Sequence, residues 1–152
     1  VMKFGGTSVK DEPAIGRVIS PARRRPRERP LVVVSALSKV TRMLCELAQV
    51  AEAQHDDNAK ALLSRLRERH FDLARKLLAS RPELPEEAIG EVEEIIGKLE
   101  TFVGGVCLIG ELSRRSEARI ISTGEVLSST IISYAFNAYD VPFRSIAARR
   151  IL

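Results

Sequence analysis

Two short apolar segments constrain the fold of this chain most, because each runs directly into a cluster of small and hydroxylated residues. Residues 1–4 lead into Gly5-Gly6-Thr7-Ser8, and residues 31–35 lead into Ala36-Leu37-Ser38. The second segment is rich in valine, which favours strands, and a pattern typical of helices follows each turn. A strand, a helix and a second strand in this order predict a parallel pair, with both turns at one edge of the sheet.

The first turn carries residue types that bind phosphate groups. Gly5 and Gly6 would let backbone N–H groups approach an anion closely, and the following helix would point its positive end at the same place. Lys3 adds a full positive charge at the end of the strand. A Gly-Gly turn is common by itself, so a tight β–α turn beside a solvated lysine is the alternative interpretation.

The rest of the chain is predicted to be largely helical, because apolar residues recur three and four apart. The predicted helices cover residues 12–20, 40–53, 56–79, 86–103 and 124–139. Asp11 is the expected N-cap of the first of them, and a separate helix capped by Ser113 or Ser116 follows a short apolar segment at 106–113. A final strand is predicted over 143–147.

The composition predicts one soluble domain or a piece of one. With 152 residues, of which 45% are hydrophobic, the chain can bury a single core. Its apolar runs are short and interrupted by charges, so no membrane span is expected. Cys45 and Cys107 lie among apolar neighbours, and no secretory signal precedes Val1. We therefore expect buried, reduced thiols in a cytoplasmic protein.

The positive charge of the chain does not indicate a nucleic-acid site. The net charge is +4, and much of the excess lies in Arg23-Arg24-Arg25-Pro26-Arg27-Glu28-Arg29-Pro30. Prolines interrupt this run and it carries no aromatic residue for base stacking, so a solvated loop is the preferred interpretation. His55 and His70 lack partners at metal-ligand spacing and are expected on helix surfaces. Neither a Walker loop nor a Rossmann fingerprint is present, so any use of ATP would require another fold.

Three motifs in order carry a family resemblance. They are Lys3-Phe4-Gly5-Gly6-Thr7-Ser8, then Leu31-Val32-Val33-Val34-Ser35-Ala36-Leu37-Ser38-Lys39-Val40-Thr41, then Ser122-Thr123-Gly124-Glu125-Val126-Leu127-Ser128-Ser129. Together they closely resemble the aspartate kinases of the amino acid kinase family, over residues 1–152. The resemblance implies an α/β fold with a mainly parallel sheet flanked by helices in three layers, of which this chain would supply the amino-terminal portion.

The resemblance also implies a reaction. Aspartate kinases transfer the γ-phosphoryl group of Mg-ATP to the side-chain carboxylate of L-aspartate, giving 4-phospho-L-aspartate on the route to lysine, threonine and methionine. By position in the motifs, Lys3 would contact the ATP phosphates and the group in flight. Gly5 and Gly6 would line the phosphate path, while Ser35 and Thr41 would bind the carboxylates of aspartate.

Glu125 is the acid that the resemblance assigns to the α-amino group of aspartate. Ser122, Glu125 and Ser129 lie three and four apart, hence on one face of a helix, and the two serines are expected only to support the site. The alternative for Glu125, placed by the pattern at a helix start, is a first-turn acid that offsets the helix dipole. The alternative for Ser38 and Thr41 is helix capping.

The chain departs from the aspartate kinase pattern at two places. Lys39 stands where many single-function members have glycine, a departure tolerated in some bifunctional members, whose kinase is fused to another enzyme of the pathway. Ala147-Ala148-Arg149-Arg150 lacks the aspartate that usually precedes the arginine.

The resemblance further implies parts that residues 1–152 do not include. Aspartate kinases carry a second glycine-rich segment, a nucleotide-binding half and regulatory domains. We therefore expect this chain alone to lack kinase activity, and the complete enzyme to be a homo-oligomer. Two other functions stay open: a relative with a different carboxylate or carbamate acceptor, and a noncatalytic amino-acid-binding or assembly module.

Overall fold

The computed structural model describes residues 1–9, 12–24, 31–141, 143 and 145. Among these residues lie two strands, five α-helices and a short 3₁₀ helix at Gly6–Val9. The strands and α-helices are β1 (Met2–Phe4), α1 (Glu12–Arg24), β2 (Val32–Val34), α2 (Val40–Glu52), α3 (Asp56–Leu77), α4 (Leu84–Ile109) and α5 (Arg114–Ala138).

β1 and β2 form a parallel pair, with Met2 opposite Val32 and Phe4 opposite Val34. The ladder continues beyond the strands, since the N–H group of Ser35 donates to the carbonyl oxygen of Phe4 at 3.1 Å. Phe4, Val32 and Val34 pack against the core. The predicted parallel pairing and the α/β class are confirmed.

The helices α2, α3, α4 and α5 pack against one another and form most of the core. Their fully buried side chains include Leu44, Leu66, Ile96, Leu127 and Phe136. Burying one such side chain contributes about 1.5–3 kcal/mol. The bundle therefore supplies stability that a two-stranded sheet, marginal by itself, cannot provide.

Several predictions concern residues outside the described part of the chain. These are the Asp11 cap, residues 25–30 of the arginine-rich run, and Ala147-Ala148-Arg149-Arg150. Arg23 and Arg24, predicted in the loop, instead form the last turn of α1, where the helix dipole favours positive charge. Of the predicted last strand, Phe143 and Ser145 are described and neither is in a strand.

α4 is longer than the sequence pattern indicates. It passes through Gly104-Gly105, where the prediction ended the helix. Val103 and Val106 continue its buried face across the two glycines, and their packing outweighs the roughly 1 kcal/mol that an interior glycine costs. The helix ends at Gly110, where φ is 71° and glycine is favoured.

α5 is one helix rather than the two predicted ones. The hydroxyl of Ser113 caps it by accepting the N–H group of Ser116 at 3.1 Å. The helix continues through Gly124 because buried residues line one face on both sides of it. Glu125 therefore lies in the middle of α5, and the interpretation of Glu125 as a first-turn acid is wrong.

Two expectations drawn from composition can be compared with the described residues. Cys45 and Cys107 are both free thiols, as expected, although Cys45 is only partly buried. No helix in the described ranges has the length and apolarity needed to cross a bilayer.

His70 is buried, contrary to the expectation that it lies on a helix surface, whereas His55 is exposed. The Nδ1 atom of His70 lies 2.7 Å from the carbonyl oxygen of Leu66, and Nε2 has no partner among the described residues. Burial disfavours the charged ring and lowers the pKa of His70 to about 4. The imidazole is thus neutral at physiological pH.

We expect the chain to lose stability as the pH falls below about 6.5, because the unfolded state protonates His70 before the folded state does. The folded pKa is the lower one, so this stability is complete above the unfolded pKa and disappears toward the folded pKa. Between about pH 7 and about pH 5 the loss from His70 is about 2 kcal/mol, measurable by urea unfolding. His70→Gln should remove this share, whereas His55→Gln should keep it. The same pH dependence in all three proteins would contradict the assignment.

Candidate functional site

The turns that follow β1 and β2 touch at one edge of the sheet. A Cβ atom added to Gly6 would lie 2.9 Å from the carbonyl oxygen of Ala36, closer than such atoms come in proteins. The corresponding position at Gly5 has no atom within 4 Å. The two predicted phosphate-binding glycines therefore differ: Gly6 lets the turns meet, and Gly5 leaves the turn accessible.

α5 reaches the same edge through Gly124 and Ser128. A Cβ atom on Gly124 would lie 2.9 Å from the Cβ atom of Ala36. The Ser128 hydroxyl donates to the carbonyl oxygen of Ser35 at 2.9 Å. The third sequence motif thus packs directly on the second, and Glu125, beside Gly124, is brought to the edge of the sheet.

Lys3 and Ser35 lie on the same face of the parallel pair. Lys3 is opposite Val33, and both residues are exposed. Because side chains alternate along a strand, Ser35 falls on the side of Val33 rather than on that of Val34, which packs against the core. The ammonium group and the hydroxyl therefore share the open face of the sheet.

Thr41 lies in the first turn of α2 and is exposed. Lys39 is the N-cap residue and makes no capping hydrogen bond through its side chain. The hydroxyls of Ser38 and Thr41 also make no hydrogen bond with another described residue, so the capping interpretation is wrong for both. The N–H group of Val40 donates to the Leu37 carbonyl oxygen, and the next two N–H groups of α2, at Thr41 and Arg42, have no partner among the described residues. Those two are left for solvent or an anion.

Lys39 adopts the left-handed conformation, with φ of 69° and ψ of −9°. This conformation costs an L-residue about 1–2 kcal/mol, and glycine adopts it freely. A glycine at this position would therefore relieve the backbone strain that Lys39 bears. Strain of this kind persists only where the surrounding contacts maintain it.

The candidate ligand side chains have no partners within the described part of the chain. The ammonium of Lys3, the carboxylate of Glu125 and the hydroxyls of Ser35 and Thr41 form neither hydrogen bonds nor ion pairs there. Glu125 is nevertheless partly buried. A partly buried carboxylate without a cation is unfavourable unless a ligand or another group pairs with it.

Sequence reasoning missed Ser128, which anchors the second turn, and named Ser122 and Ser129 instead. The hydroxyls of Ser122 and Ser129 donate to carbonyl groups one turn earlier in α5, at 3.1 Å and 3.0 Å. They do not reach the sheet. Ser128 could have been found from its place four residues after Gly124, on the same helical face.

An open cleft of about 440 Å³ lies against α3, with Leu37, Met43 and Glu12 contributing to its walls. Most of its charged lining comes from α3. None of the candidate ligand residues lines this cleft, although Leu37 of the second motif does.

The family follows from comparison with known proteins. The sequence pattern of the amino acid kinase family matches residues 1–152, which is the whole chain. The chain belongs to the amino acid kinase family. The motif-based resemblance is confirmed at this level.

Relatives of this chain include both single-function and bifunctional enzymes. It is 33% identical over 153 residues to the aspartokinase of Chlamydia trachomatis, covering 100% of this chain and 31% of that protein. It is 31% identical over 152 residues to bifunctional aspartokinase/homoserine dehydrogenase 1 of Zea mays, a chloroplastic protein, covering 100% of this chain and 16% of that one. The chain thus spans less than a third of these curated relatives.

A solved structure supports the amino acid kinase fold. The chain matches the crystal structure of Escherichia coli aspartokinase III in complex with aspartate and ADP with a TM-score of 0.74. The match covers 91% of this chain and 29% of that one, at 23% identity. The expected α/β architecture is therefore that of a known aspartokinase.

The contact between Gly124 and Ala36 predicts the effect of adding one methyl group. Gly124→Ala should lower the free energy of unfolding by about 1–3 kcal/mol, because the Ala36 Cβ atom has little room to move. Gly104→Ala, in the interior of α4 with nothing within 4 Å of the new atom, should instead raise it by about 0.5–1 kcal/mol. Urea unfolding of the two variants measures both values. Equal effects would show that the Gly124 contact is loose.

Proposed function

We propose that this chain is the amino-terminal part of an aspartate kinase. The enzyme transfers the γ-phosphoryl group of ATP to the side-chain carboxylate of L-aspartate, giving 4-phospho-L-aspartate. The observation that carries the proposal is the arrangement of partnerless side chains around the edge where both strands end and α5 packs. The aspartokinase relatives, and the aspartate and ADP bound to the E. coli enzyme, support this choice of substrates.

In this proposal Lys3 binds the phosphoryl group and offsets its negative charge. Transfer from ATP to a carboxylate brings two anions together, so the enzyme must offset negative charge and hold the reactants in line. The Lys3 ammonium is exposed and lies on the open face of the sheet. Gly5, with open space on its side-chain position, lets a phosphate oxygen approach the turn.

The amino acid substrate is bound by three side chains in this proposal, those of Ser35, Thr41 and Glu125. Hydroxyl groups donate hydrogen bonds to carboxylates, and the uncapped start of α2 adds the positive end of a helix dipole. The Glu125 carboxylate accepts hydrogen bonds from an ammonium group. A ligand that carries both carboxylates and an ammonium matches this combination, as aspartate does.

The roles proposed for the described residues are roles toward ATP phosphates and aspartate. Among these residues no group of three His, Cys, Asp or Glu side chains is placed to hold a metal ion. The greater length of the relatives supports placing the remaining nucleotide contacts, and the residues that hold Mg²⁺ with ATP, outside residues 1–152.

The experiment that tests the function uses the complete enzyme that contains residues 1–152. ADP release is followed with L-aspartate, L-glutamate and carbamate as acceptors. We expect turnover with aspartate and none above background with the other two. Turnover with another acceptor would identify a different member of the family, and nucleotide-independent binding of aspartate without turnover would favour a noncatalytic amino-acid-binding module.

Lys3→Ala in the complete enzyme should lower kcat by about 100-fold or more, because its charge acts mainly on the transition state. The KM for aspartate should change far less. Lys60→Ala provides the control, since Lys60 is exposed on α3 and pairs with Asp56. A kcat within a few-fold of the unmodified enzyme would exclude a catalytic role for Lys3.

Glu125→Gln should raise the KM for aspartate by about 10- to 100-fold and leave the KM for ATP nearly unchanged, because a charge-assisted hydrogen bond to the α-ammonium is lost. Glu117→Gln is a matched control, because Glu117 lies in the first turn of the same helix. That variant should lose only a little thermal stability and bind both substrates normally. Equal changes in both KM values, or none, would remove Glu125 from the aspartate site.

A further inference from the structure

Arg69 reaches from α3 to the turn that precedes α2. Its Nη2 atom donates to the carbonyl oxygen of Ser38 at 2.9 Å. Its Nε atom is buried and has no hydrogen-bond partner among the described residues. The guanidinium therefore lies against the backbone of the second motif, although 31 residues separate the two along the chain.

The position of Arg69 on α3 is unusual for a charged residue. Leu62, Leu66 and Leu73, in register with it, are buried and face the core. Arg69 forms no ion pair with any acid in the described ranges, even though Glu68 and Asp72 line the same cleft. A partly buried arginine without a carboxylate partner is rarely retained for stability alone.

The bond to Ser38 acts on the most strained backbone of the site. Ser38 immediately precedes Lys39, whose backbone is left-handed. The turn is held at its start by the bonds of Ser35 to Phe4 and Ser128, and Arg69 holds its other end. Arg69 thus helps to fix the turn that leads into the uncapped start of α2. Its guanidinium also adds positive charge near that start.

We propose that Arg69 is a positioning residue for the acceptor substrate. Through the Ser38 carbonyl it fixes the turn between Ser35 and Thr41, and its charge adds to the positive end of α2 that attracts the substrate carboxylates. This inference rests on the proposed aspartate kinase function. Arg69 itself touches neither substrate.

The test compares Arg69→Met, Arg69→Lys and Arg65→Met in the complete enzyme. Arg65 is the matched control, because it lies one turn earlier on α3, lines the same cleft and makes no hydrogen bond with the turn. Arg69→Met should raise the KM for aspartate about 10-fold while the KM for ATP stays within about twofold. Arg69→Lys should recover part of the loss, and Arg65→Met should behave like the unmodified enzyme.

Hydrogen exchange provides a second readout that does not depend on the reaction. In Arg69→Met, a peptide covering residues 36–44 should exchange faster, whereas one covering residues 88–103 should be unchanged. Unchanged exchange and kinetics, or equal effects of Arg65→Met, would overturn the proposal. Equal increases in both KM values together with a lower melting temperature would reduce Arg69 to a stability role. If the unmodified enzyme does not phosphorylate aspartate, the proposed function and the substrate role both fail, and exchange alone decides whether Arg69 holds the turn.

Discussion

The site depends on one packing contact, in which Ala36 lies between Gly6 and Gly124. Gly6, from the first turn, faces the carbonyl oxygen of Ala36, and Gly124, from α5, faces its Cβ atom. In both places the position of an added Cβ is 2.9 Å away. Three segments that are distant in sequence can meet here only because neither glycine carries a side chain. The parallel pairing of β1 and β2 brings the first two together, and α5 closes on them from the helical layer.

Charged side chains form ion pairs on the surface of the helix bundle, whereas the described charged side chains of the site do not. On the bundle surface Arg67 donates to both Glu93, at 2.8 Å, and Glu100, at 2.6 Å, and these two hydrogen bonds raise the pKa of its guanidinium. At the site Lys3 and Glu125 have no such partners among the described residues. Charges left without partners do not contribute to stability, so apolar burial in the bundle has to maintain the fold around them. Functional sites commonly contain polar groups that are satisfied only when a ligand binds.

The sequence was informative where a local pattern determines the structure. Two apolar segments, each followed by small residues, predicted the parallel pair. The pairing in turn predicted that Gly5, Ser35 and Thr41 lie at one edge of the sheet. The predictions were wrong where packing between segments distant in sequence determines the structure. Gly124 reads locally as a helix boundary, yet it is glycine because Ala36 lies against it. His70 reads as a polar surface residue, and only the burial of its leucine neighbours on α3 places it inside.

Lys39 has a left-handed backbone that favours glycine, and contacts with other parts of the fold maintain it. A left-handed lysine is unfavourable in any short peptide, so the conformation must come from contacts that the rest of the fold imposes. Leu37 is buried on one side of it, and the N–H group of Val40 donates to the Leu37 carbonyl at 3.0 Å. The hydrogen bond from Arg69 constrains the peptide group that joins Ser38 to Lys39. Because Arg69 belongs to α3, the geometry of the turn depends on how α3 packs. The helix bundle therefore acts on the site through the backbone of the turn and not through the ligand-binding side chains.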